Sequence, residues 1–126
     1  MLTVKEKYIC QTEVLSSKFI AILIPFDDNM DIKQIIKDVQ GEYKKARHYC
    51  YAYRTLTKSK SNDDGEPSGT AGRPLLELLY KKDMINVAII VVRYFGGTKL
   101  GAGRLLRTYV QSGVNVINKA NLEEIK

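Results

Sequence analysis

Three kinds of residue in this chain can do chemistry: one histidine, a short cluster of acids, and glycine-rich turns set among basic side chains. His48 is the single histidine, so any Ser-His or Cys-His catalytic pair has to use it. Cys50 follows two residues later, but same-face neighbours on one strand stand ~7 Å apart, beyond the reach of a nucleophile–base hydrogen bond. Asp63, Asp64 and Glu66 can supply acid–base groups, and together with His48 they define one reading of the chain, a small hydrolase or phosphotransferase. Their spacing matches no dedicated calcium loop, and Cys10 and Cys50 form neither a CxxC nor a zinc-ligand pattern. No metal and no cofactor is expected. No residue is assigned a catalytic role, and a structural or ligand-facing His48 is preferred over a catalytic one.

The glycines concentrate in Asp63-Asp64-Gly65-Glu66-Pro67-Ser68-Gly69-Thr70-Ala71-Gly72-Arg73-Pro74, in Arg93-Tyr94-Phe95-Gly96-Gly97, and in Leu100-Gly101-Ala102-Gly103. At strand-to-helix junctions glycine permits positive φ and close backbone approach, and it bares helix N-terminal N–H groups that can hold an anion. The other use of such glycines is packing alone, through tight turns and close helix–strand contacts, and both readings stay open. Known nucleotide signatures are missing. Gly97-Thr98-Lys99-Leu100-Gly101 lacks the G-K-[S/T] ending of a Walker loop, and Gly101-Ala102-Gly103 is not continued at the Rossmann spacing. Gly65-Glu66-Pro67-Ser68-Gly69 does not put serine at the centre of G-x-S-x-G, so it is no nucleophile elbow.

Charge placement points the same way. Tyr43 to Asn62 holds Lys44, Lys45, Arg47, Arg54, Lys58 and Lys60 without an acid, and Met84 to Leu122 holds Arg93, Lys99, Arg104, Arg107 and Lys119 without an acid. Basic stretches interleaved with tyrosines suit a phosphate backbone, through counterion release and stacking. The net charge of +6 is equally that of a solvated basic face without a partner, because charge alone bears on solubility and non-specific association. The candidate ligand- or anion-binding set is His48, Arg54, Asp64, Glu66, Ser68, Gly69, Thr70, Gly72, Arg73, Arg93, Tyr94, Gly96, Gly97, Lys99, Gly101, Gly103 and Arg104.

These residues must be held by regular elements. Thr3 to Gln11 and Lys18 to Phe26 are dense in β-branched and aromatic residues and read as a hairpin turning at Ser16-Ser17. From Asp31 the apolar spacing changes to three and four, with Ile32, Ile35, Ile36, Val39, Tyr43 and Ala46 on one helical face. Asp31 can cap that helix with Gln34 as capping-box partner, and Gly41 weakens its far end. His48 to Thr55 alternates, with His48, Cys50 and Ala52 on one face and Tyr49, Tyr51 and Tyr53 on the other. Lys58 to Gly72 is polar and predicts a long, functional or mobile loop. Pro74 suits the start of a leucine-rich helix, Asn86 to Tyr94 is a strand covered on both faces, and a last helix runs from about Arg104 to Lys119.

With 126 residues, 44% of them hydrophobic and 27% charged, the chain falls in the range of one globular domain large enough to hold a core without disulfides. It carries no signal-peptide pattern and no apolar run near the ~20 residues that span a bilayer, so a soluble cytoplasmic protein without a membrane partner is expected.

The run Asp63 to Pro74, with Arg93 to Gly97, Leu100 to Gly103 and the strand Ala46-Arg47-His48-Tyr49-Cys50-Tyr51-Ala52-Tyr53-Arg54, resembles the N-terminal domain of the IMPACT (YigZ-type) family. Three ordered motifs span nearly the whole chain. Arg47 is the departure, since the family often has threonine before the histidine, and a ligand contact there is cationic in this chain. The resemblance implies an α+β two-layer sandwich with about four strands in a mixed sheet and helices on one face, like the second domain of ribosomal protein S-five. It also implies that eukaryotic relatives regulate translation by competing for the activator of the general-control eIF-two-alpha kinase, and that bacterial relatives usually add a ferredoxin-like C-terminal domain. Residues 1–126 are expected to form a single domain of the N-terminal type without that addition. The function expected is a non-catalytic binding domain of translation regulation. It contacts RNA, the ribosome or a translation-regulatory protein through Arg54, Arg73, Arg93, Lys99, Arg104 and Arg107. A small enzyme and a purely structural assembly subunit are the rival classes.

Overall fold

The computed structural model describes residues 1–125. The elements in chain order are β1 (Leu2–Thr3), β2 (Tyr8–Val14), β3 (Ser17–Pro25), α1 (Ile32–Glu42), β4 (His48–Arg54), β5 (Ser59–Asn62), α2 (Gly72–Lys81), β6 (Val87–Tyr94), α3 (Ala102–Lys119) and β7 (Glu123–Glu124). The α+β class holds. The main sheet has five strands rather than four, ordered β2-β3-β6-β4-β5, and every pairing in it is antiparallel rather than mixed. A separate ribbon joins β1 to β7.

β6 lies at the centre, and its residues alternate between two cores, as the unbroken apolar run requires. Val87, Ile89 and Val91 pack with Leu75 and Leu79 of α2 and Leu105, Tyr109 and Val116 of α3. Ala88, Ile90 and Val92 pack with Ile32 and Val39 of α1. Helices therefore cover both faces of the sheet, with α1 forming a thinner third layer beyond the expected two. Tyr49, Tyr51 and Tyr53 belong to this second core and are 9%, 6% and 7% exposed, so they are not a stacking surface for bases.

Local chemistry explains most of the boundaries. Asp31 caps α1 by accepting from the Lys33 N–H at 3.0 Å, but Gln34 bonds to Asp38 and leaves the capping box unmade. α1 stops at Glu42, one residue past Gly41, while Tyr43 and Ala46 still pack on the same core from the following turn. α2 starts at Gly72, two residues before Pro74, where a missing N–H still leaves no helical bond unmade. β5 turns part of the expected loop into a strand, because it runs along the sheet edge and needs no apolar residue there. No helix among the described residues is long and apolar enough to cross a membrane.

Two glycines test this packing against each other. A Cβ on Gly72 would lie 2.5 Å from the Asn62 carbonyl oxygen, whereas a Cβ on Gly41 would meet nothing within 4 Å. Gly72→Ala is expected to lower unfolding stability by about 1–3 kcal/mol through backbone displacement. Gly41→Ala is expected to raise it by up to about 1 kcal/mol through helix propensity. Urea titration of both variants checks the opposite signs.

Candidate functional site

Between β5 and α2 the chain passes through Asp63 to Ala71, and each acid of that segment is turned to a structural task. Asp63 accepts from the N–H groups of Gly69 at 2.8 Å, Ala71 at 3.2 Å and Gly72 at 2.8 Å. Burial works against the charged Asp63 carboxylate, but the backbone N–H groups of Gly69, Ala71, Gly72 and Arg73 outweigh it and hold the pKa below the ordinary value. The N-terminus of α2 is thus already filled by an anion from its own chain. Asp64 accepts from the Tyr49 N–H at 2.7 Å, which ties the loop to the edge of β4.

Glu66, 7% exposed, is the buried member. Arg93 on the central strand donates through Nη1 to both of its carboxylate oxygens, at 2.9 and 2.8 Å. The Tyr109 hydroxyl on α3 donates to Oε2, and burial raises the phenol's pKa so that it keeps its proton. His48 completes the group, with Nε2 at 3.3 Å from Glu66 and Nδ1 at 2.7 Å from the Asp64 carbonyl. Both ring nitrogens therefore face oxygen atoms of the protein. The Arg93 guanidinium lies near the Phe19 and Phe95 rings, at 5.5 and 5.7 Å from their centroids, and its buried Nε has no hydrogen-bond partner among the described residues.

Above this network a cleft of about 390 Å³ opens, lined by Arg47, His48, Glu66, Pro67, Arg93, Phe95, Lys99, Leu100, Gly101, Ala102 and Leu105. Arg47 is laid over the Phe95 ring with its guanidinium carbon 4.8 Å from the centroid. The N-terminus of α3 enters the same cleft. Gly101 is its N-cap, with φ 79° and no side-chain cap, and the first turn holds no acid. A Cβ on Gly101 would meet nothing within 4 Å, so open space stands before this helix end. The Arg107 guanidinium folds back against Gly103 in the first turn. A larger groove of about 480 Å³ between α2 and α3, lined by Arg73, Leu78, Lys81, Leu106 and Val110 among others, lacks a converging buried polar group.

Of the residues singled out in the sequence, His48, Glu66, Arg93, Lys99 and Gly101 meet in one cleft, with Gly97, Gly103 and Arg104 exposed beside it. The others lie elsewhere. Arg54 stacks on Tyr80 at 4.3 Å and donates to the Met84 carbonyl. Arg73 pairs with Glu77 on the surface, and Tyr94 donates to the Lys44 carbonyl. Gly69, Thr70 and Gly72 wrap the Asp63 carboxylate and the Pro67 carbonyl, and Ser68 is exposed on that loop. Gly96 sits against the β2–β3 turn, where a Cβ would fall 2.1 Å from the Ser16 carbonyl carbon. Arg47, Phe95 and Tyr109 were not in the candidate set. Arg47 had a signal, its departure from the family threonine, while Tyr109 has only the spacing of a residue on the inner face of α3. Among the described residues no group of three or more His, Cys, Asp and Glu side chains is placed to hold a metal ion.

The family model described as Impact N-terminal domain matches residues 15–117. The IMPACT family member YvyE of Bacillus subtilis (strain 168) is 39% identical over 98% of this chain and 58% of its own length. YigZ, an IMPACT family member of Escherichia coli (strain K12), is 38% identical over 82% of this chain and 52% of its own. The chain thus spans little more than half of these curated relatives. A crystal structure of a hypothetical protein superimposes with a TM-score of 0.91 at 30% identity, over 97% of this chain and 62% of that one. The two-domain translational regulator Yih1 shares the fold, with a TM-score of 0.51 at 21% identity over 94% of this chain and 46% of that one.

The role of Asp63 carries a pH signature. Its folded-state pKa lies below the unfolded value of about 3.9, so its stabilisation is complete above that pH and is lost as pH falls through the folded value. Asp63→Ala is expected to cost about 1–3 kcal/mol at neutral pH by leaving the N–H groups of α2 without their acceptor. The gap between variant and parent is expected to narrow below about pH 4. Urea unfolding at pH 7 and pH 3 measures it, and a gap that stays constant contradicts the assignment.

Proposed function

This chain belongs to the Impact N-terminal domain family, and from that premise we propose that it is a binding domain of translation regulation that meets RNA through the basic end of α3. The observation that carries this reading is the open N-terminus of α3, uncapped by any side chain and without an acid in its first turn. Lys99, Arg104 and Arg107 are exposed around it, and Arg47 and Arg93 line the cleft it enters. A helix N-terminus favours an anion by ~0.3–1 kcal/mol on its own, and the surrounding cations add the salt-dependent attraction that phosphate-backbone binding uses. The link to translation draws support from the shared fold with a protein described as a translational regulator. Partners of the longer relatives belong to the same proposal, because the chain covers little more than half of their length.

Binding is favoured over catalysis by the state of the reactive groups. Both nitrogens of His48 are engaged by acceptors, and Asp63, Asp64 and Glu66 each accept hydrogen bonds from their own chain. Their contacts hold the loop to the strand and helix around it, and none of them forms a nucleophile–base pair.

A fluorescence-anisotropy titration with a structured RNA hairpin at increasing salt tests the reading. Affinity is expected to fall linearly on a log–log plot, and replacing Lys99, Arg104 and Arg107 by alanine is expected to reduce the slope by about one for each phosphate no longer neutralised. Arg54→Ala, at the far end of the sheet, is expected to leave both affinity and slope unchanged. Salt-independent affinity, or no binding at low salt, rules out the phosphate-backbone reading. Turnover of any phosphoester that His48→Ala abolishes in a folded variant would instead establish an enzyme.

A further inference from the structure

We propose that the cleft at the N-terminus of α3 is a blind pocket for a terminal phosphate monoester, either the 5′ end of an RNA or the phosphate of a free mononucleotide. The proposal rests on the reading of this surface as phosphate-binding and adds which kind of phosphate it holds. Two independent features converge there. One is the uncapped N-terminus of an 18-residue helix. The other is Arg93, 5% exposed, which lines the cleft and gives only Nη1 to Glu66, while its Nη2 makes no hydrogen bond among the described residues. A phosphate oxygen at the base of the cleft is an acceptor of the right kind, because guanidinium groups pair with phosphate by charge-assisted bonds.

Shape and charge select the end of a chain over its middle. The floor is made of the buried Glu66 and Arg93 side chains, so a group that enters must stop there. An internal phosphodiester carries a substituent on each side and cannot reach a closed floor, whereas a monoester carries one. Arg47, Lys99 and Arg93 bring three positive charges to the lining and Glu66 one negative charge, an excess of two before His48 is counted. A phosphate monoester carries about −1.5 to −2 at neutral pH, against a single charge for a diester. Glu66 does not repel it as a bare carboxylate would, because Arg93 and Tyr109 already donate to it. The volume of about 390 Å³ exceeds what one phosphate fills, and Phe95, Leu100 and Leu105 supply an apolar wall for the attached sugar and base.

The whole chain is tested against one short RNA in two forms, 5′-phosphorylated and 5′-hydroxyl, with adenosine 5′-monophosphate and adenosine as competitors. The phosphorylated form is expected to bind about tenfold more tightly, a difference of ~1.4 kcal/mol. Arg47→Ala and Lys99→Ala are expected to shrink that preference while circular dichroism shows the fold intact. Backbone amide resonances of Gly101 to Arg104 are expected to shift with the phosphorylated form and not with the hydroxyl form. Displacement by adenosine 5′-monophosphate but not adenosine identifies a free nucleotide as an accepted source. Displacement by neither, with the 5′ preference kept, restricts the site to RNA ends. Equal, salt-dependent affinity for the two RNAs overturns the monoester pocket and leaves the backbone reading standing. Binding of neither RNA at low salt overturns both.

Discussion

A carboxylate cannot be buried alone, and the position of Glu66 organises this molecule around that rule. At 7% exposure its charge must be met by groups of the protein, and these come from three different elements: Arg93 on β6 and Tyr109 on α3, which donate to it, and His48 on β4, whose Nε2 lies beside it. One side chain therefore locks the 63–71 loop to the central strand, to the longest helix and to the strand beside it. Removing Arg93 or Glu66 from such a group leaves an uncompensated buried charge, so the loop and the central strand depend on each other.

The neighbouring acids follow the same inward logic. Asp63 fills the N-terminus of α2, and Asp64 holds the end of β4. With the acids of this segment engaged internally, the surface on the α3 side carries cations with no acid in the first turn of the helix. Two helix N-termini that look alike as glycine-rich junctions end up unlike in the fold. One is closed by its own chain and the other opens on the cleft. The glycines divide accordingly: Gly72 and Gly96 permit close backbone packing, while Gly101 stands before open space.

How much of this was legible in the sequence depends on how local each cause is. The apolar alternation of β4, the unbroken run of β6 and the spacing of three and four in α1 all appear in the structure where the residues place them, because burial of one face or two leaves its period in the chain. β5 was hidden, since an exposed edge strand of serine, lysine and asparagine has no apolar period to show. β1 and β7 were hidden because they pair across nearly the whole chain. The two-sided placement of helices was missed for a similar reason: α1 shows an apolar face, but nothing in it says which side of the sheet it covers. In the site, His48, Arg93 and the glycines stood out by type, whereas the closure of α2 by Asp63 depends on a turn that brings a carboxylate back over residues six to nine positions later. Tyr109 carries only the signal of a core position, so its hydroxyl on Glu66 could not be read from spacing.

The claim on which the rest turns is that α2 is closed by Asp63 while α3 is open. Crystals grown with tungstate, examined by anomalous diffraction, locate a phosphate-like dianion directly. The account predicts tungstate density within hydrogen-bond distance of the Ala102 and Gly103 amides and beside Arg93 in the cleft. Density at the Gly69 to Gly72 turn with the cleft of α3 empty would contradict it.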